Sequence, residues 1–421
     1  MPQRPNLSDR PRPETTGPSA LSGLRVVDFT RVVAGPFATQ LLGDYGAEII
    51  KIEQTGTGDD TRHLIPQPSF AGESFFYLAM NRNKKSVALD LSTQGGVDAA
   101  LALIATADVV VENFTSRVMR RFGLDYASLR DRFPRLIYCS ISAYGREGRL
   151  ANAAGYDSAI SMESGVASLN AMPGEPPVPG GVPFIDLTTA LNATVGILMA
   201  LRAREVHGRG QFVECALYDS AIADLCYKGY QYLACGQNPE PMGMKPKFGA
   251  PGGQFACTDG MIWFTCTSQK MFHGLCARVL DRPDLLDDPR FATQEFRNQN
   301  AAPLYALVSE AFAGETRSFW SDRLKGAGLP SGEMRLVGEA LMSRETAERE
   351  LIFEIEHPTA GPVPMIAPPI RMSLTPALLP TAPPRLGEHT AEILRELPGY
   401  DATTIAALAD QGAVQVHAGE S

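Results

Sequence analysis

Between residues 24 and 53 the spacing of apolar positions changes twice. LRVVDFT and AEIIKIE are short β-branched runs. The intervening VVAGPFATQLLGDYG carries its apolar residues at helical spacing, with Pro36 early and Gly46 at the stop. This is a strand–helix–strand unit and predicts parallel strands. The alternation continues: KSVALDLS reads as strand, GGVDAALALIATA as helix, DVVVENF as strand, RVMRRFGLDYASLRDRF as helix, and LIYCSISAYG as a strand ending at a turn. The whole predicts a doubly wound α/β domain, in which ligands sit beyond the carboxyl ends of the strands. That rule gathers DFTRVVAG, VENF and SAYGREG round one crevice.

The segment GGVPFIDLTTALNATVGILMALRAREVHGRGQ, residues 180–211, places one acid, Asp186, before an amphipathic run with a glycine-bearing stop. By itself such a carboxylate is either a helix N-cap or a group that does chemistry. Beyond residue 225 the texture changes. CGQNPEPMGMKPKFGAPGGQ reads as loop, QFACTDGMIWFTC as a hairpin turning at Asp259-Gly260, and QKMFHGLCARVL, FRNQNAAPLYALVSEAFAG and RSFWSDRLKGAG as helices. The region 355–386 is proline-rich yet apolar and predicts an extended segment packed on the surface. EHTAEILREL and ATTIAALADQG follow as helices. The expected organisation is a flexible lead-in (1–20), a large α/β domain (21–225) completed by 365–421, a linker (226–245), a small α+β domain (246–345) and a return linker (346–364).

With 44% apolar and 20% charged residues, the 421-residue chain has material for a large core. The net charge of −9 and the lack of a long basic run argue against nucleic acid as a partner. No uninterrupted apolar stretch reaches membrane-spanning length, and the polar, proline-rich start lacks the core of a secretory signal, so no membrane association and a cytoplasmic location are expected. The seven cysteines form no CxxC pair, and the six histidines show no metal-ligand spacing, so no metal is expected.

The order of these segments resembles family III CoA-transferases, the group of formyl-CoA:oxalate and carnitine CoA-transferases, whose sister enzymes are the α-methylacyl-CoA racemases. LSGLRVVDFTRVVAGPFATQLLGDYGAEIIKIE, NRNKKSVALDL, VVVENF, LIYCSISAYG, GYDSAISMESGV, IDLTTAL, HGRGQFVECALYDSAI and LGEHTAEIL carry the likeness over nearly the whole chain. The resemblance implies a large Rossmann-like domain and a small domain in an interlocked homodimer, with coenzyme A and acyl-CoA as substrates and no tightly bound cofactor. It implies Asp186 as the catalytic nucleophile. Backbone N–H groups and the helix dipole at a helix start are then expected to keep that carboxylate ionised.

The same resemblance assigns Val32, Val33, Ala34, Asn113, Phe114 and Arg121 to CoA, the last to a phosphate. Tyr156, Gly252 and Gly253 go to the acyl substrate, and Gly249, Gly252 and Gly253 form either a lid or a plain turn. Tyr156 stands where the racemases carry histidine, which disfavours racemization. Gln54 and Ala154 stand where the formyl-CoA enzymes carry basic residues, so Arg31, Arg82, Lys84 or Lys85 is expected to meet the phosphates. Arg62, Lys245 and Lys247 are candidates for a second substrate carboxylate. The function expected is transfer of CoA from an acyl-CoA, such as succinyl-CoA, to a small dicarboxylate. A CoA-dependent racemase or epimerase and an inactive acyl-CoA binder are the alternatives. The identities of donor and acceptor stay open.

Overall fold

The computed structural model describes residues 19–417 except 242 and 245–248. The lead-in up to residue 18, Lys245 and Lys247 lie outside the described residues. The strands in chain order are β1 (Arg25–Asp28), β2 (Glu48–Glu53), β3 (Lys84–Leu89), β4 (Val109–Glu112), β5 (Ile137–Ser142), β6 (Phe212–Ala216), β7 (Gly253–Cys257), β8 (Gly260–Phe264), β9 (Ser331–Glu333), β10 (Ile352–His357), β11 (Gly361–Ile366) and β12 (Val414–Gln415). The described residues divide into two compact units: those within 19–166, 180–226 and 344–417 form the first, and those within 167–179 and 227–343 the second.

The first unit is built on one seven-stranded sheet, ordered β12-β3-β2-β1-β4-β5-β6. All neighbours are parallel except β12, which runs antiparallel along β3. Its strands are apolar on both faces because side chains alternate between two buried layers. Val26, Ile49, Val109, Ile137 and Cys139 enter one core with the helices Ala34–Asp44 and Phe184–His207. Val27, Ile50, Val87, Val110 and Tyr138 enter the other, with the helices Gln94–Ile104, Thr390–Arg395 and Ala402–Asp410. From β1 the chain winds through β2 to β3 in one direction, then crosses to β4, β5 and β6 in the other. The gap beyond the ends of β1 and β4 is therefore the switch point.

Several elements differ from the sequence reading. RVMRRFGLDYASLRDRF yields two short helices, Ser116–Arg121 and Tyr126–Leu129, because Gly123 turns the chain at φ 68°. The stretch 346–364, expected as a linker, contains most of the antiparallel β10–β11 hairpin of the first unit. Pro362 and Pro364 are tolerated there because β11 is an edge strand. After it the chain does run extended over the first unit: Tyr45 Oη donates to the Ile370 carbonyl, and Leu378 N–H to that of Asp44. The expected linker 226–245 begins with a helix, Cys226–Cys235, none of whose residues is buried.

Helix Phe184–His207 is long and apolar enough to cross a membrane by length and composition. A search for unbroken apolar runs passes over it because Asp186, Thr188, Thr189 and Asn192 interrupt the sequence. One face of the helix, through Ile185, Thr189, Ala190, Ala193, Ile197 and Ala200, is buried against Ala34–Asp44, β5 and β6. The small alanines allow that close approach.

The second unit has a three-stranded antiparallel sheet, β7-β8-β9, with the expected hairpin at its start. Its core stacks Phe255, Phe264, Phe312 and Trp320 at ring separations of 4.4–5.5 Å. Helices Ala301–Phe312 and Arg317–Gly326 cover it.

Candidate active site

The loop after β1 is fixed from beneath by buried charge. Lys51 and Asp59 are both fully buried and pair at 2.9 Å. Lys51 also donates to the Thr30 carbonyl at 2.8 Å. Asp59 accepts from the Val32 N–H at 3.4 Å, and its carboxyl is held down to about 2, burial being outweighed by Lys51 and the Thr61 hydrogen bonds. Asn113, just beyond β4, clamps Arg31 from both sides: its Oδ1 accepts from Arg31 N at 2.9 Å and its Nδ2 donates to Arg31 O at 2.7 Å. Between these restraints Val32 adopts φ 73°, a strained conformation for a β-branched residue. Gly35 is required next, because a Cβ there would lie 2.2 Å from the Thr30 Cβ. The result is a rigid corner that delivers Val33 and Ala34 into the start of helix Ala34–Asp44.

That corner forms one wall of a cavity of about 270 Å³ at the switch point. Its lining joins Arg31, Val32, Val33 and Ala34 after β1, Asn113, Phe114 and Thr115 after β4, Ser142 at the end of β5 with Ala143 and Arg146 after it, and Leu217 after β6, with Tyr156 and Asp186. The three segments that sequence rules gathered at one crevice do meet there. Arg146 is locked in place: it donates to Ser140 Oγ at 2.6 Å, the Phe114 carbonyl at 2.7 Å and Glu112 Oε1 at 2.7 Å.

Asp186 stands in the first turn of Phe184–His207, half-buried, as its third residue and so three positions beyond the cap, Pro183. The expectation that backbone N–H groups keep it ionised is overturned. Those donors are taken by Asp157, whose Oδ2 accepts from Ile185 N at 2.8 Å and Asp186 N at 3.1 Å. Burial, and then the Asp157 charge, push the Asp186 carboxyl up to about 7. Asp157 is a residue that sequence reasoning missed. Its signal was its place in GYDSA, directly after Tyr156. Asp157→Asn keeps an acceptor oxygen but removes the charge, so the Asp186 carboxyl is expected to titrate at lower pH. Difference infrared titration, with Asp186→Asn as the blank, measures this.

The other expected site residues divide. Tyr156 lines the cavity and is 68% exposed. Arg121 is solvent-facing at the end of Ser116–Arg121, against Phe122, and is not in the cavity wall. Gly252 and Gly253 are buried in the second unit at the start of β7, where the Gly252 carbonyl accepts from Tyr305 Oη at 2.7 Å and Gly253 pairs with Phe264; Gly249 closes the same turn by accepting from Gly252 N.

Most of the candidate cations are spent on structure. Arg62 forks onto Glu53 at 2.8 and 2.7 Å. Arg82 forks onto Asp44 at 2.8 and 2.7 Å. Lys84 is buried against Asp28 at 3.1 Å, and Lys85 pairs with Glu48 and Glu392 at the surface. Arg31 alone of the four phosphate candidates lines the cavity.

A parallel doubly wound sheet with a carboxyl poised over its switch point defines an α/β enzyme that binds a small-molecule carrier or substrate at the strand ends. Residues 21–390 match the model of CoA-transferase family III. The chain is 35% identical over 408 residues to the human succinyl-CoA:glutarate CoA-transferase, covering 97% of this chain and 93% of that protein. It is 34% identical over 388 residues to the succinate–glutarate CoA-transferase of Agrobacterium fabrum, covering 91% and 97%. A CaiB/BaiF family protein from Brucella suis superposes with a TM-score of 0.81 at 35% identity, covering 90% of this chain and 99% of the other. The chain belongs to CoA-transferase family III.

Proposed function

We propose that the chain moves CoA from a CoA thioester, succinyl-CoA being the first donor to try, to a small dicarboxylic acid. The observation that carries this reading is Asp186: a carboxyl in the wall of a strand-end cavity, with no hydrogen bond to its side chain among the described residues and a proton affinity raised to about 7. A partly buried carboxylate that lacks hydrogen-bond donors is a reactive nucleophile once ionised. The named relatives act on succinate and glutarate, which supports a dicarboxylate.

In this scheme Asp186 attacks the thioester carbonyl and expels CoA thiolate, giving an aspartyl–acyl anhydride. The thiolate attacks the aspartyl carbonyl of that anhydride, releasing the donor acid and leaving an aspartyl–CoA thioester. The acceptor carboxylate displaces thiolate to form a second anhydride. The thiolate then attacks the acceptor's acyl carbonyl, producing the new CoA ester and free Asp186. Each oxyanion needs donors aimed at it, and the corner at Val32, Val33 and Ala34 is where they are sought. Asn113 and Phe114 sit against the carrier, and Tyr156 against the acyl group.

An interlocked homodimer belongs to the same proposal. Its support is exposed apolar surface: Leu191, Val195, Leu198 and Met199 on the outer face of Phe184–His207, and Tyr227, Tyr230 and Leu233 on Cys226–Cys235. Light scattering should give twice the mass of the chain.

The test of the reaction is incubation with succinyl-CoA and a panel containing glutarate, L-malate and monocarboxylates, with mass detection of CoA esters. New esters without net hydrolysis, and hydroxamate formed at Asp186 when hydroxylamine is added with donor alone, are expected. CoA binding without turnover across the panel refutes transfer, and α-proton exchange in a 2-methylacyl-CoA points to a racemase instead.

A further inference from the structure

A second, smaller hollow of about 70 Å³ adjoins the Asp186 cavity, and the two share Arg31 and Phe114 in their walls. Phe29, Ile52, Leu89 and Leu91 give it an apolar floor at the ends of β1, β2 and β3, and Gln54 lies at its side. Among the described residues three cations line the pair of hollows: Arg31, Lys51 and Arg146. Lys51 is buried in its ion pair and Arg146 is saturated by Glu112, Ser140 and main-chain carbonyls. Arg31 is different. Its backbone is clamped by Asn113, its guanidinium lies 4.8 Å from the Phe114 ring centroid, and its side chain is 43% exposed. Its ionic partner is Asp60, 3.3 Å away and 60% exposed. A pair in solvent contributes little, so the guanidinium is oriented yet available.

We propose that Arg31 binds a phosphate oxygen of the CoA carrier at the junction of the two hollows. This rests on the CoA-transferase reading above. A carrier that reaches from the thioester at Asp186 into the smaller hollow passes Arg31, and its charge resides in its phosphates, the pantetheine arm being neutral. A guanidinium fork matches phosphate oxygens, and stacking on Phe114 holds the fork in place before the ligand arrives. The same chemistry would also receive the second carboxylate of the acid substrate, so the test separates the two.

Calorimetric binding of CoA itself reads the contact without turnover. Arg31→Ala is expected to weaken CoA about tenfold or more, Arg31→Lys to recover part of the loss, and Asp60→Asn, which removes the competing carboxylate, to tighten it. In turnover, Arg31→Ala raises the donor KM while the acceptor KM stays within about twofold. With an acyl-pantetheine donor, which has no phosphate, Arg31→Ala and the wild-type protein should have the same donor KM. The inference is overturned if CoA affinity is unchanged in Arg31→Ala, if the penalty persists with acyl-pantetheine, or if it falls on the acceptor acid. Absence of transfer by the wild-type protein would instead refute the function proposed above, and the calorimetric comparison of CoA affinities would then decide the role of Arg31.

Discussion

Asp186→Asn is expected to lower CoA transfer by roughly 10⁴-fold or more, since loss of a covalent nucleophile removes the whole route, while making the protein more stable at pH 8. The two effects share one cause. The folded protein holds the Asp186 proton up to about 7, against an ordinary value of 3.8, so ionising it costs folding free energy. That cost is absent below about pH 4, grows as pH rises through the interval, and is complete above about pH 7. With the group half in solvent, a gain of about 1–3 kcal/mol for the neutral amide is reasonable at pH 8. Thermal melts of both proteins should nearly coincide at pH 4 and diverge progressively through pH 5 to pH 8. Equal melts at pH 8 would mean that the carboxyl is hydrated and that its reactivity needs another source. The wild-type rate should rise with pH through about 7, because the nucleophile is the ionised form.

Lys51→Met should lower stability by about 3–5 kcal/mol, the usual result of leaving one half of a buried ion pair uncompensated. Asp59 would lose its partner at 2.9 Å and the Thr30 carbonyl its donor. Urea unfolding should show a lower midpoint with an unchanged slope. The pH signature has a fixed sign. Asp59 is held down to about 2 from 3.8, so its contribution is present above about pH 4 and is lost as pH falls toward 2; Lys51→Met should flatten that acid loss. Because Asp59 also holds Val32, CoA binding should weaken even where the variant remains folded. An unchanged midpoint would show that the pair does not support the corner.

The hydrophobic spacing made the central sheet legible, since each parallel strand is an apolar run between amphipathic helices. It missed β6, whose Phe212–Ala216 carries a glutamate, and β12, whose two residues are too few for a pattern. Crevice placement followed from the rule for strand ends, and Asp186 was found because a lone acid in an apolar setting is conspicuous. The charge networks were not legible. Arg62, Arg82 and Lys84 read as available cations, yet their partners, Glu53, Asp44 and Asp28, are brought to them by tertiary folding. Lys51 drew no attention inside its strand, and only the fold sets it against Asp59. The capping role of Asp157 was hidden for the same reason: it serves a helix 28 residues downstream of its own position.

Strand β12 lies at one end of the sheet and covers the free edge of β3, although β3 belongs to the first quarter of the chain. During synthesis the partner of that edge leaves the ribosome after the other eleven strands of the described residues have been made. Until then the nascent sheet presents open N–H and C=O groups at Ala88 and Leu89, the apolar end of β3, a place where other chains can pair. A chain cut within the helix Ala402–Asp410 therefore leaves a sticky product, and any sequence joined after Gln415 needs enough slack to let Val414 and Gln415 dock.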